Sequence, residues 1–132
     1  MYQKLATKPH IAVVDDDLSV LRSLSRLFGS AGYIVSTFGS AREYLEFVTH
    51  SSPGCLVLDV NMPEMNGFEL HTRLNELGQR VPVVYLTAHD TPQTVRAAKQ
   101  NRSAALLFKP VGGNELLAVV SQAVRLQKSP PG

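Results

Sequence analysis

Apolar residues along the chain fall into short unbroken runs, separated by stretches where they recur every three or four positions. Four of the runs stop at a polar residue: HIAVV before Asp15–Asp16, CLVL before Asp59, VVYL before Thr87 and LLF before Lys109. Fully apolar runs of this length suit strands buried on both faces, as in a parallel sheet. The intervening stretches have the spacing of amphipathic helices. The pattern predicts strands at His10–Val14, Tyr33–Thr37, Cys55–Val60, Val81–Leu86 and Ala104–Phe108. Predicted helices cover Leu18–Ser30, a segment opening at Ser40 with Tyr44, Leu45 and Val48, then Gly67–Leu77, Pro92–Gln100 and Asn114–Leu126.

Local chemistry punctuates these elements. Gly32 and Gly78 follow the first and third helices, where a left-handed residue ends a helix. Ser40 with Glu43 has the spacing of a capping box. Thr91 followed by Pro92 reads as an N-cap and a first-turn proline. Ser51–Gly54 forms a turn. Strand and helix in strict alternation imply an α/β, flavodoxin-like (βα)5 doubly wound parallel sheet with strand order 2-1-3-4-5.

Composition narrows the class. A chain of 132 residues with 44% hydrophobic and 18% charged residues supports one domain with a continuous core. A net charge of +2, spread rather than clustered, gives no electrostatic case for nucleic-acid or membrane-surface binding. The single Cys55 excludes an internal disulfide and suits a reducing compartment, and it reads as a small buried strand residue. No apolar stretch approaches the ~20 residues of a membrane span, and MYQKLATKPH lacks a signal peptide's apolar core. A cytoplasmic location is expected.

In an open parallel sheet, ligands bind beyond the carboxyl ends of the strands. Asp15, Asp16, Asp59, Thr87 and Lys109 should therefore gather at one edge. Converging carboxylates repel one another unless a cation compensates, and a hard ion such as Mg2+ suits oxygen ligands. Mg2+ on one side and an ammonium on the other are complementary to a phosphoryl group in transfer. A carboxylate can itself be the nucleophile. Asp59 stands alone at a central strand end and is the candidate.

The motifs VVDD, LVLDVNMPEMNG, YLTA and FKP, in this order, resemble the receiver domain of bacterial two-component response regulators, and the FixJ/NarL subgroup most closely. The resemblance spans about His10 to Leu126. It implies a leader over 1–9, a receiver over 10–127 and a tail or linker start over 128–132. It implies that Asp15 and Asp16 hold Mg2+, that Asp59 is the phosphoacceptor and that the Asn61 backbone carbonyl also ligates the metal. Thr87 would be the switch hydroxyl, Ala88 the small residue leaving the phosphate accessible, and Lys109 the lysine on a phosphoryl oxygen. The Lys109–Pro110 bond would be cis, and Pro63 and Gly67 match the loop after the phosphoacceptor. Implied partners are a sensor histidine kinase, a second copy through helix 4, strand 5 and helix 5, and DNA through an output domain absent from this chain, with no membrane. The activity would be signalling, with catalysis confined to the protein's own phosphorylation and dephosphorylation.

Some residues have plainer readings. Asp17 is expected to cap the first helix rather than bind metal. His89 lies near the site, as a positioning group or a plain loop residue. His10, His50 and His71 lack metal-ligand spacing and are expected in solvated positions. Three positions depart from the family: Leu106 replaces the usual aromatic switch residue, Val111 replaces a frequent Phe, and Arg102–Ser103 replaces Gly-Ala. Leu106 and Val111 motivate the alternative of a receiver-like interaction module with altered or lost switching. An aspartate-nucleophile phosphatase would need an acid where Asn61 stands. A flavodoxin would have to place an FMN phosphate against the acidic first loop.

Overall fold

The computed structural model describes residues 9–48, 52–102 and 105–128, with side chains to residue 125. The strands are β1 (His10–Val14), β2 (Ile34–Phe38), β3 (Cys55–Asp59), β4 (Val83–Thr87) and β5 (Ala105–Phe108). The helices are α1 (Leu18–Ser30), α2 (Ala41–Val48), α3 (Gly67–Glu76), α4 (Pro92–Gln100) and α5 (Gly113–Lys128). All strand pairs are parallel and the order is β2-β1-β3-β4-β5. The doubly wound (βα)5 reading is correct.

The pleat divides each strand between two helical layers. Ile11, Val13, Cys55, Val57, Val84 and Leu86 face α1 and α5, packing on Leu21, Leu24, Phe28, Leu116 and Val120. Ala12, Val14, Leu56, Leu58, Val83 and Tyr85 face α2, α3 and α4, against Tyr44, Leu70, Leu74 and Ala98. Strands β1, β3 and β4 are therefore sealed on both sides, which is why Ile11–Val14 of β1 are all apolar and β3 and β4 carry their only acidic or hydroxyl-terminated aliphatic residue, Asp59 or Thr87, at the last position. The LLF run differs: β5 is an edge strand, its residues are half-buried, and Phe108 is 38% exposed.

Several boundaries move for identifiable reasons. Strand β4 begins at Val83 rather than Val81, because Pro82 has no N–H for the ladder, although its carbonyl accepts from Leu56 N–H at 2.9 Å. Strand β2 is displaced by one residue: Tyr33 stays outside it and packs edge-on against Phe28, while Ile34 pairs with His10. Asp59 belongs to β3 and Val60 does not. Helix α3 stops at Glu76, with Leu77 as its cap, and α5 begins at Gly113. Ala104, Ser51 and the 129–132 part of the tail lie outside the described residues.

The predicted caps form, with one variation. Thr91 Oγ1 accepts from Thr94 N–H at 3.2 Å, and Asp17 Oδ1 accepts from Ser19 N–H at 2.9 Å. Ser40 Oγ accepts from Glu43 N–H, but Glu43 returns its carboxylate to Gly39 N–H instead of Ser40 N–H. Gly32 and Gly78 take positive φ, +97° and +78°, as helix stops require. Cys55 is fully buried, and burial pushes its thiol up to about 12, which keeps it protonated and inert.

The solvated reading of the histidines is corrected. His71 is only 5% exposed and its Nδ1 pairs with Tyr85 Oη at 2.6 Å beneath α3. His10 is half-buried, with Nε2 on Ser36 Oγ at 2.7 Å and its ring edge-on to Phe47. Burial lowers both pKa values. His50 lies outside the described residues.

Candidate metal site at the carboxyl edge of the sheet

Each side chain of the site is placed by where its strand stops. Strands β1 and β3 are neighbours in register through Val14 and Leu58, so the residues that follow, Asp15 and Asp59, arrive side by side. Thr87 closes β4, and its carbonyl accepts from Lys109 N–H at 2.7 Å, which fixes the lysine just past β5. Asp15, Asp16 and Asp59 each offer a carboxylate oxygen, and these oxygens lie within 4.8 Å of one another. Asp15 and Asp59 are buried; Asp16 is exposed and leaves the site open to solvent on one side.

Lys109 Nζ donates to Asp15 Oδ2 at 3.0 Å and to Asp59 Oδ1 at 3.3 Å. Burial would lower the lysine's pKa, but the bond to Asp15 and the charges of both carboxylates outweigh it and raise the value. Asp59 moves the other way for a carboxylate. Burial first, then the neighbouring Asp15, pushes it up to about 6, against the opposing pull of Lys109 and of Asn61 N–H. One ammonium thus leaves two carboxylates incompletely compensated. The all-oxygen donor set, with one solvent-facing member, fits a small hard cation that keeps some waters, as Mg2+ does.

The second tier of the site holds the loops. Asp15 Oδ1 accepts from Asp17 N–H at 2.9 Å, locking the turn into α1. Asp17 is a helix cap, as expected, and the hydrogen bonds from Ser19 hold its pKa down. Thr87 Oγ1 is fully buried, donates to Asn61 Oδ1 at 3.1 Å and accepts from His89 N–H at 3.0 Å. The sequence reading gave Asn61 only a backbone role, so this side-chain link to Thr87 is new. No spacing signals it, because the partners are 26 residues apart, Asn61 in the loop after β3 and Thr87 at the end of β4. Ala88 is exposed beside the site, and His89 takes part through its backbone.

The loop after β3 is held by a full capping box, Asn66 with Glu69, which the N-x-x-E spacing would have revealed. Gly67 is there for space: a Cβ would lie 2.5 Å from the Asp59 carbonyl oxygen and 3.0 Å from Val60 Cα. The start of α3 can thereby press directly on the backbone that carries Asp59, and Gly67 N–H donates to Val60 O at 2.9 Å. The Lys109–Pro110 bond is cis. Leu106 is half-buried, pairs with Tyr85 across β4–β5 and packs in the layer below α4. The aromatic of this region is thus Tyr85, tied to His71 and stacked edge-on by Phe68.

A family model described as the response regulator receiver domain matches residues 11–121. The response regulator protein TodT of Pseudomonas putida is 40% identical over 117 residues, which is 88% of this chain and 51% of TodT. The transcriptional regulatory protein FixJ of Bradyrhizobium diazoefficiens is 37% identical over 122 residues, 92% of this chain and 59% of FixJ. The solved structure of the response regulator StyR superposes with a TM-score of 0.83 at 42% identity, over 91% of this chain and 61% of that one. The chain spans about half the length of the curated relatives it matches.

Proposed function

The chain belongs to the response regulator receiver domain family, of the FixJ-like kind, and from that premise we propose that Asp59 accepts a phosphoryl group from a sensor histidine kinase, with Mg2+ held beside it. The observation that carries this reading is the position of Asp59. It is a buried carboxylate at a central strand end, within 4.8 Å of two further carboxylates and 3.3 Å from an ammonium. Asp15, Asp16, Asp59 and the Asn61 carbonyl would hold the ion. Bound there, Mg2+ supplies positive charge that screens the carboxylates from each other and from the phosphoryl oxygens.

The chain's own residues do the rest. An Asp59 oxygen attacks phosphorus, the bond from phosphorus to the donor's imidazole nitrogen breaks, and that nitrogen keeps the electron pair. Lys109 Nζ, already between Asp15 and Asp59, shifts its hydrogen bond onto a phosphoryl oxygen. Thr87 gives up Asn61 Oδ1 and donates to the same group, while exposed Ala88 leaves the approach unobstructed. Water later hydrolyses the acyl phosphate and restores the carboxylate. The signal would leave through α4, β5 and α5. Leu106 cannot swing as a ring does, so repacking around Thr87 and α4 carries the change, a shift between two populated states. That face would serve a second copy, and DNA contact would fall to a further domain beyond this chain. Among the described residues no helix is long and apolar enough to cross a membrane.

Beryllofluoride, a phosphoryl mimic, tests the reading. With Mg2+ it is expected to shift the amide NMR signals of Asp59, Ala88 and Lys109 and then those of α4, β5 and α5; without Mg2+ it should do nothing. Unchanged spectra in its presence would contradict phosphoacceptance. Shifts that stop at the site would favour the interaction-module alternative.

A further inference from the structure

Thr87 has a single hydroxyl proton to give, and Asn61 holds it. The hydroxyl donates to Asn61 Oδ1 at 3.1 Å, while His89 N–H occupies its acceptor side at 3.0 Å. Among the described residues the other acceptor it meets is the His89 carbonyl, at the longer distance of 3.5 Å. Asn61 also reaches the candidate phosphoacceptor, because its backbone N–H faces Asp59 Oδ1 at 3.4 Å. One residue thus touches both Asp59 and the hydroxyl that is to answer it. We infer that the Asn61 side chain is a positioning residue: it holds the Thr87 hydroxyl in the resting state and so sets how readily a phosphoryl group is retained at Asp59.

This role rests on phosphoacceptance at Asp59 and adds a threshold to it. One proton cannot serve two acceptors, so donation to a phosphoryl oxygen requires release from Asn61. A β-branched side chain makes that change as a step between discrete rotamers. The resting bond keeps the released rotamer a minor one, and the apparent affinity for a phosphoryl group falls by that fraction. The fold makes Asn61 the partner that can let go. Its side chain is exposed, whereas Val60 and Met62 on either side are buried and pin the loop. The amide can therefore swing out while the backbone beside Asp59 stays in place. His89, by contrast, contributes a backbone N–H, which cannot leave without moving its loop.

The test is beryllofluoride affinity at saturating Mg2+, titrated by NMR in the wild type, Asn61→Ala, Thr87→Val and the double variant. Asn61→Ala is expected to bind about two- to tenfold more tightly, the worth of one neutral hydrogen bond. Thr87→Val should bind more weakly, and adding Asn61→Ala to it should change nothing further, since valine has no proton to hold. An effect that came through the metal would survive in the valine background, so the cycle separates the two. In the protein without beryllofluoride, the Thr87 methyl signal should already move in Asn61→Ala as the second rotamer fills. Equal or weaker binding by Asn61→Ala, or the same gain with and without the Thr87 hydroxyl, would overturn the role of Asn61 and leave phosphoacceptance standing. A wild type that does not bind beryllofluoride would overturn phosphoacceptance, and this role with it.

Discussion

Replacing Lys109 by Met is expected to destabilise the metal-free protein by about 2–3 kcal/mol near pH 7 and to slow phosphoryl uptake by about 100-fold. The ammonium bonds to two carboxylates whose side chains are 2% and 5% exposed. Met keeps the apolar stem but leaves Asp15 and Asp59 facing each other in a desolvated site. The figure stands below the full cost of an orphaned buried charge because the lysine is itself 25% exposed. The raised lysine pKa has the matching sign: its stabilisation is complete below the ordinary value of 10.5 and is lost only as pH rises through the higher folded value. Two features separate this from a packing defect. The loss should shrink as pH falls below about 6, where Asp59 takes up its proton, and Mg2+ should restore more stability to the variant than it adds to the wild type. Chemical denaturation across pH, with and without EDTA, measures both.

Asp59→Asn should have the opposite effect on stability while abolishing phosphoryl uptake. The carboxyl titrates at about 6 in the folded protein against an ordinary value of 3.8. Below pH ~4 both the folded and the unfolded states carry the proton and Asp59 costs nothing. Between pH ~4 and 6 the unfolded chain loses this proton while the folded state, with the carboxyl buried beside Asp15, keeps it, so the cost grows to about 3 kcal/mol and then stays constant. Asn removes that ionisation and still leaves Lys109 its bond to Asp15 at 3.0 Å. In EDTA the variant should therefore be up to about 3 kcal/mol more stable than wild type above pH 6, and indistinguishable from it below pH 4. Added Mg2+ should narrow the gap, because it binds the wild type better. Urea melts at both pH extremes are sufficient, and a variant less stable at pH 7 would refute the electrostatic description of the site.

Strand ends made the site readable before any coordinates. Asp59 and Lys109 are 50 residues apart, yet each follows an unbroken apolar run, and a parallel sheet brings such ends together. The same logic located β1 and β3, because a strand covered on both faces leaves no choice of residue. It failed at β2, where an edge position tolerates Ser36 and Thr37 and the alternation shifts by one residue without penalty. It also misjudged His71. Helical spacing places that residue beside Leu70 and Leu74, but its burial depends on Tyr85 reaching it from another element. The Thr87–Asn61 bond and the closeness of Gly67 to Asp59 were hidden for the same reason. Contacts across elements have no period along the chain. At Glu64 the backbone takes φ +69° with no sign in the residue type, whereas the left-handed Arg102, just past the cap of α4, stands where the family has glycine.

The central claim, that Asp59 is the acceptor, is most directly tested by incubating the protein with acetyl phosphate and Mg2+ and weighing it intact, then mapping the adduct by peptide mass. The account predicts the added mass of one phosphoryl group, carried by the peptide containing Asp59, lost when EDTA replaces Mg2+ and lost in Asp59→Asn. An unchanged mass in the wild type, or equal labelling of Asp59→Asn, would contradict it.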